Sequence, residues 1–232
     1  MNSLRLFARQ ILPAAVLMIG LTFADPARAG LYHFSSGAGL LNQYIPDSPA
    51  GGVAYSFGFE DVGQQISSII VTLSISGGYN GDLYASLSHG SDYAVLLNRV
   101  GGSVGNPYGS GSSGLAITLN MGLSKDIHNA IGAPGQPIAD SGFSADGRVN
   151  YTDTSRDTTH TLDVFNQTDP HGTWTLYFAD LSPGSVSMLN AWSLDITTVP
   201  EPVNAALGCL GGIFVLVTLV RSQRVRELFR RR

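Results

Sequence analysis

Serine, histidine and aspartate are the side chains through which this chain could do chemistry, and few of them stand in a telling pattern. Gly101-Gly102-Ser103-Val104-Gly105 has the letters of a Gly-x-Ser-x-Gly nucleophile turn. Such a turn works when a strand delivers the serine and a helix starts directly behind it. A strand-like stretch precedes Ser103, but asparagine, proline, glycine and serine follow, so no helix starts and acyl transfer is not expected. The five histidines (His33, His89, His128, His160, His171) are scattered, with no pair at the spacing of metal ligands. A secreted hydrolase is therefore the weakest functional reading. Asp82, Asp169 and Asp180 are the candidate metal ligands, for a calcium ion, which takes six to eight oxygens and accepts loop carbonyls among them. Asp82 and Asp180 close or open strand-like stretches and Asp169 lies in the loop before Trp174; aspartate at a strand end is also a common turn former. Trp174 and Trp192 could be sugar-stacking platforms, but their alternating placement inside strands favours the core.

The elements that must position these residues are short strands. Leu31–Phe34 is a first candidate, and Val53, Tyr55, Phe57 and Phe59 alternate in a second. Ile69, Val71, Leu73 and Ile75 point one way while Thr72 and Ser74 point the other; Ser76-Gly-Gly-Tyr-Asn-Gly81 reads as a turn, and Leu83, Ala85 and Leu87 alternate again, which predicts a hairpin. After a turn at His89–Asp92 comes a strand from Tyr93 to Arg99, then a Gly/Ser-rich loop from Gly101 to Gly114, then a short strand at Leu115–Leu119. From Gly122 to Asp157 the pattern fades into polar loop, with one helical turn expected within Ser124–Ile131. Alternation returns at Trp174, Leu176 and Phe178 and at Trp192, Leu194 and Ile196. About eight short strands without a long amphipathic helix predict an all-β, antiparallel β-sandwich.

Both ends of the chain read as targeting segments. Arg5 and Arg9, the apolar stretch Ile11–Phe23, and the small-x-small site Ala27-Arg28-Ala29 have the layout of a secretory signal peptide. At the other end, Val199-Pro200-Glu201-Pro202 precedes an uncharged apolar run from Val203 to Val220 and then six arginines between Arg221 and Arg232. That run predicts a C-terminal transmembrane helix just long enough to cross a bilayer, with the arginines on the cytoplasmic side. The expected organisation is residues 1–29 as signal peptide, 30–198 as a single sandwich domain, and 199–232 as the membrane segment. Within 30–199, four basic residues face fourteen acidic ones, a net of −10, which argues against nucleic acid as a partner. The one cysteine, Cys209, lies in the C-terminal run, so the body is stabilised by packing rather than by disulfides.

Pro200-Glu201-Pro202, the apolar run and the terminal arginines together resemble a PEP-CTERM sorting signal. The resemblance implies a protein exported in a Gram-negative bacterium, held in the inner membrane, and processed near the Pro-Glu-Pro by an exosortase-type transpeptidase; an ordinary C-terminal anchor is the alternative. The body resembles a different family. Ile66–Ile75, Gly81-Asp82-Leu83, Leu87-Ser-His-Gly90 and Leu96-Leu97 look like the first half of a P/Homo B domain, the module that follows the catalytic domain of subtilisin-like proprotein convertases. Phe165–Gly172, Trp174, Leu176 and Asp180, with Leu189-Asn-Ala-Trp192-Ser-Leu194, look like its second half. Gly78-Tyr79 stands where many members have histidine before the aspartate-leucine pair. The resemblance implies a jelly-roll-like sandwich used without catalysis. The expected role is an interaction or structural module at the cell surface or in extracellular polysaccharide, with a lectin-like carbohydrate binder as the alternative.

Overall fold

A computed structural model describes residues 29–36, 41–47, 51–60, 64–200 and 202–230, with the side chains at 202–205 and 223–230 left aside. Arg5, Arg9 and Ala27 of the expected signal peptide, and Glu201 of the sorting motif, lie outside the described residues. Ala29 is described and directly precedes the first strand.

The described residues form an all-β body of two sheets sharing one core. One sheet has the order β1 (Gly30–Ser35), β10 (Ser187–Pro200), β4 (Gln64–Gly77), β7 (Leu115–Asn120), β8 (Ile138–Phe143), and β2 (Gln43–Ile45) also pairs with β10. The other has the order β3 (Val53–Phe59), β9 (Gly172–Asp180), β5 (Leu83–His89), β6 (Asp92–Asn98). The alternation seen in the sequence works as expected: Leu73 and Val71 of β4, Leu194 and Ile196 of β10, and Leu87, Leu176 and Phe178 of the second sheet are all buried in the shared core. Each such side chain contributes about 1.5–3 kcal/mol through burial. Trp174 is fully buried, and its indole N–H donates to the Pro170 carbonyl at 2.9 Å. It also stacks on the His89 ring at 4.3 Å, which ties the β5–β6 hairpin end to the loop before β9.

Two expectations need correction. β4 and β5 are not a hairpin but lie in different sheets. Gly77 and Gly78 both take positive φ, and the chain then enters a buried 3-10 turn at Asn80–Asp82. There Asn80 Nδ2 donates to Ser112 Oγ and to the Gly114 carbonyl, each at 2.8 Å. Gly81 passes so close to the loop at 108–110 that an added Cβ would lie 2.0 Å from the Tyr108 carbonyl oxygen. The turn is thus bolted to the loop inside the molecule, and the chain crosses to the opposite sheet. Alternation alone does not distinguish two strands facing each other across a core from two strands paired side by side.

The second correction concerns the stretch from Gly122 to Asp157. It contains the expected short helical turn, at Ile127–Asn129, but also β8, which runs parallel to β7. Every other strand pair is antiparallel, so the sheet is mixed. A parallel pair needs a long crossover, which residues 121–137 supply. In β8 only Ile138 and Phe143 are buried, so no period of two marks it. The last strand, β10, runs on to Pro200, pairing Val199 with Gln65 and Pro200 with Gln64.

Beyond the body, α1 spans Pro202–Arg230. Its described apolar side chains are exposed, Leu207 at 62% and Phe214 at 70%. Among the described residues, no helix is long and apolar enough to cross a membrane.

Candidate functional site

Ser103 sits in an exposed turn, where its Oγ accepts the Asn106 N–H at 3.0 Å. Leu115 is the start of the next regular element, a strand, so the nucleophile arrangement is absent there. A histidine–aspartate pair does lie nearby, in His128 and Asp146. His128 Nδ1 is 2.8 Å from Asp146 Oδ2, and Nε2 is 2.8 Å from the Gly102 carbonyl oxygen. With an acceptor on each nitrogen, the ring is held as the doubly protonated imidazolium. Burial works against that charge, but the bonds to Asp146 and Gly102 outweigh it and hold the pKa above its ordinary value. A ring committed on both nitrogens is no general base for Ser103.

The same two residues belong to a buried ionic cluster. Arg148 Nη2 donates to Asp126 Oδ2 at 2.8 Å, Nη1 to Asp146 Oδ1 at 3.3 Å, and Nε to the Asp153 carbonyl at 2.9 Å. Asp146 also accepts the Asn98 N–H at 3.1 Å. Two cations meet two carboxylates, and loop 122–157 is fastened to β6. This cluster fixes shape. Asp126, His128, Asp146 and Arg148 all lie in the stretch without periodicity, so no pattern in the sequence marks the cluster.

The candidate calcium ligands separate. Asp82 and Asp180 come together because β5 and β9 pair with Leu83 opposite Asp180, and the Leu181 N–H donates to the Asp82 carbonyl at 2.7 Å. Asp169 lies elsewhere: its carbonyl is bonded to His89 Nε2 at 3.0 Å, and its carboxylate caps the His171 N–H at 2.8 Å. The third carboxylate beside the pair is Asp47, which bridges to Asp180 and accepts the Gly184 N–H at 2.9 Å, while its Oδ1 is buried without a partner. Nothing in the sequence around Pro46 and Asp47 marked it. Arg99, whose Nη1 is 3.7 Å from Asp82, is the cation paired with this group. Burial pushes the Asp82 carboxyl up, Asp47 adds to that, and Ser182 and Arg99 oppose it. Burial likewise pushes Asp180 up, with Asp82 and Asp47 adding, against hydrogen bonds from Ser182 and Ser187. Among the described residues, no three His, Cys, Asp or Glu side chains are placed to hold a metal ion.

β1 and β3 are the edge strands of their sheets, and a cleft of about 590 Å³ opens between them. Trp192 lines it, flanked by Phe57 at 5.9 Å and Tyr55 at 5.6 Å between ring centres, with Phe34 stacked on Phe57 at 4.5 Å. Tyr55 and Phe57 are only half-buried. Burial raises the Tyr55 pKa, so the ring is a neutral phenol. At the rim stand two polar pairs, His33 with Asp195 at 2.6 Å and Ser56 with Thr175 at 3.0 Å.

No protein-family model and no curated protein matches the chain. Among solved structures, the serine protease of Aeromonas sobria in complex with the chaperone is 12% identical with a TM-score of 0.40, the match covering 75% of this chain and 27% of that one. The structure of that serine protease by itself is 11% identical with a TM-score of 0.38, covering 74% and 27%. The chain thus spans about a quarter of the length of these proteins. Likeness at this level carries no argument about function.

Proposed function

We infer that this chain is an exported, non-catalytic interaction module of a Gram-negative cell envelope. Its body is read as a jelly-roll-like sandwich of P-domain type, with residues 1–29 removed on export and residues 199–232 acting as a PEP-CTERM sorting signal. The observation that carries this reading is α1, in which Leu207, Leu210, Ile213, Phe214, Leu216 and Val217 are all more than half exposed. Apolar side chains spread over a helix surface need an apolar surrounding. Among the described residues no helix is long and apolar enough to cross a membrane, so the exposed side chains support contact with a bilayer, and crossing it rests on the uncharged run Val203–Val220 of the sequence. An exosortase-type transpeptidase is then the processing partner, and extracellular polysaccharide the destination. Calcium has no assigned place in this reading, since Asp169 stands apart from Asp82 and Asp180.

Intact mass of the protein recovered from its native cell surface tests the inference. A product lacking residues 1–29 and ending near Pro200–Pro202 is expected. A mature protein that retains Arg232 replaces sorting with permanent anchoring.

A second reading, a lectin-like module, is favoured by the aromatic cleft between β1 and β3.

A further inference from the structure

We propose that the cleft between the Asn80–Asp82 turn and the 108–111 loop binds a cationic amino sugar, with Tyr79 and Tyr108 packing on its ring and Asp82 taking its ammonium group. The proposal rests on the lectin-like reading, at a cleft of its own, and its failure leaves export and sorting untouched.

The first observation is a pair of exposed rings. Tyr108 is 76% exposed and Tyr79 48%, and both line a cleft of about 460 Å³, a volume in the range of small-molecule sites. One such ring on a surface is ordinary; two lining the same cleft mark a surface kept for contact. The walls that carry them are rigid. The Gly81 N–H donates to the Ser110 carbonyl at 3.1 Å, and the Ser110 N–H donates to the Val100 carbonyl at 2.7 Å. Gly109, at positive φ, packs so closely that an added Cβ would lie 2.7 Å from Gly81 Cα. Both rings therefore stand on backbone that folding has already ordered, and binding has little left to immobilise.

Charge defines the ligand. Asp82 is the charged side chain lining the cleft, 9% of its side-chain surface stays open, and its carboxylate oxygens are not closed off as Asp47 Oδ1 is. Arg99 Nη1 stands 3.7 Å away, beyond hydrogen-bond length, and the guanidinium directs its hydrogen bonds to Ser182 Oγ and to the Leu181 and Pro107 carbonyls. Ser182, which also lines the cleft, is the other polar group at the carboxylate. Asp180 and Asp47 lie behind, so three carboxylates share one guanidinium. An ammonium group at Asp82 supplies the positive charge that this group lacks. A slender lysine side chain answers the charge but fills little of the cleft, and a neutral sugar covers the rings but leaves the charge unanswered. A sugar ring with a protonated amine does both, its C–H face and its cation each attracted by aromatic walls. Uronic acids and phosphates are repelled.

Tyrosine ring signals make the test direct. The full chain, 13C-labelled at tyrosine and held in a detergent without a sugar headgroup, is titrated with protonated D-glucosamine at millimolar concentrations. Loss of a signal in Tyr79→Phe or Tyr108→Phe identifies each ring. Both signals are expected to shift saturably while that of Tyr55, in the other cleft, stays in place. N-acetyl-D-glucosamine keeps the ring and lacks the charge, and is expected to bind about tenfold more weakly. Asp82→Asn is expected to weaken glucosamine binding by about the same factor. Tyr108→Ala, at a side chain mostly in solvent, is expected to weaken it about fivefold, followed through Tyr79. An unmoved Tyr55 signal in each variant shows that the fold is kept. Tyr79 and Tyr108 signals that glucosamine does not move overturn the proposal, as does unchanged affinity in Tyr108→Ala. N-acetyl-D-glucosamine binding as tightly as glucosamine overturns the role of Asp82. L-lysine amide binding as tightly overturns the sugar and gives the cleft to a peptide cation.

Discussion

The two charged clusters of this body both bury aspartates, and they differ in how many cations meet them. Under loop 122–157, Arg148 and the imidazolium of His128 meet Asp126 and Asp146, and the charges balance. At the far end of β5 and β9, Asp47, Asp82 and Asp180 crowd together with Arg99 as their cation. The first cluster is satisfied by its own hydrogen bonds. The second holds protons more tightly, because burial disfavours its charged carboxylates and the neighbouring carboxylates add to that, which raises Asp82 and Asp180 from their ordinary value. Burial is common to both. What differs is the count of opposite charges and the group that titrates: both clusters lose stabilisation as pH rises, one through His128 and the other through Asp180.

Breaking the balanced cluster has the largest expected effect. Arg148→Met leaves Asp126 without its cation and Asp146 with His128 alone, and chemical denaturation should show a loss of about 3–5 kcal/mol. A loss below about 1 kcal/mol would mean that water reaches the cluster and replaces the guanidinium. The next effect is smaller and pH-dependent. Because the folded-state pKa of His128 is raised, its contribution is fully present below its ordinary value of about 6.5 and is lost as pH rises through the folded value. His128→Gln should therefore cost about 1–3 kcal/mol at pH 6 and progressively less in alkaline buffer. Parallel pH profiles for wild type and variant would remove the imidazolium from the cluster.

The crowded cluster sharpens the comparison from the other side. Asp180 has a raised pKa, so its stabilising form is the protonated one, present in acid and lost as pH rises through the folded value. Asp180→Asn mimics that neutral form. It should raise stability by about 1 kcal/mol at pH 7 and confer no advantage in acid. A lower melting temperature at pH 7 would show that the carboxylate is wanted in its charged state. Added calcium separates the remaining choice: an unchanged melting temperature fits relief by protons, and an increase means the three carboxylates take an ion instead.

The strands were the legible part of this chain because burial on one face imposes a period of two. Val53–Phe59 is the clearest case, since its expected and observed limits coincide. Partnership was less legible. Ile69–Ile75 and Leu83–Leu87 alternate as hairpin strands do, yet the contacts of Gly81 and Asn80 with the 108–114 loop send them to separate sheets. Register information of that kind lies in close backbone approach, which a single sequence does not display. The sites divide in the same way. Asp82 and Asp180 could be picked out at strand ends, whereas Asp47 arrives from a distant loop through a bridge to Asp180. Trp192 is visible as a strand residue of the core, and it is buried; only the gap between the two edge strands reveals that it also lines a cleft.

One consequence of β10 is mechanical. The strand is gripped along one flank by β4 from Ser187 to Pro200, and along the other by β2 and then β1. A pull on the C-terminal tail, directed along this strand, stresses those rungs in shear, so that they resist together instead of unzipping one at a time. Tension from the tail is thereby carried into the middle of the larger sheet, beside Trp192, and not into an edge that would peel. Any machine that needs Val199 and Pro200 as free chain must first strip their rungs to Gln65 and Gln64.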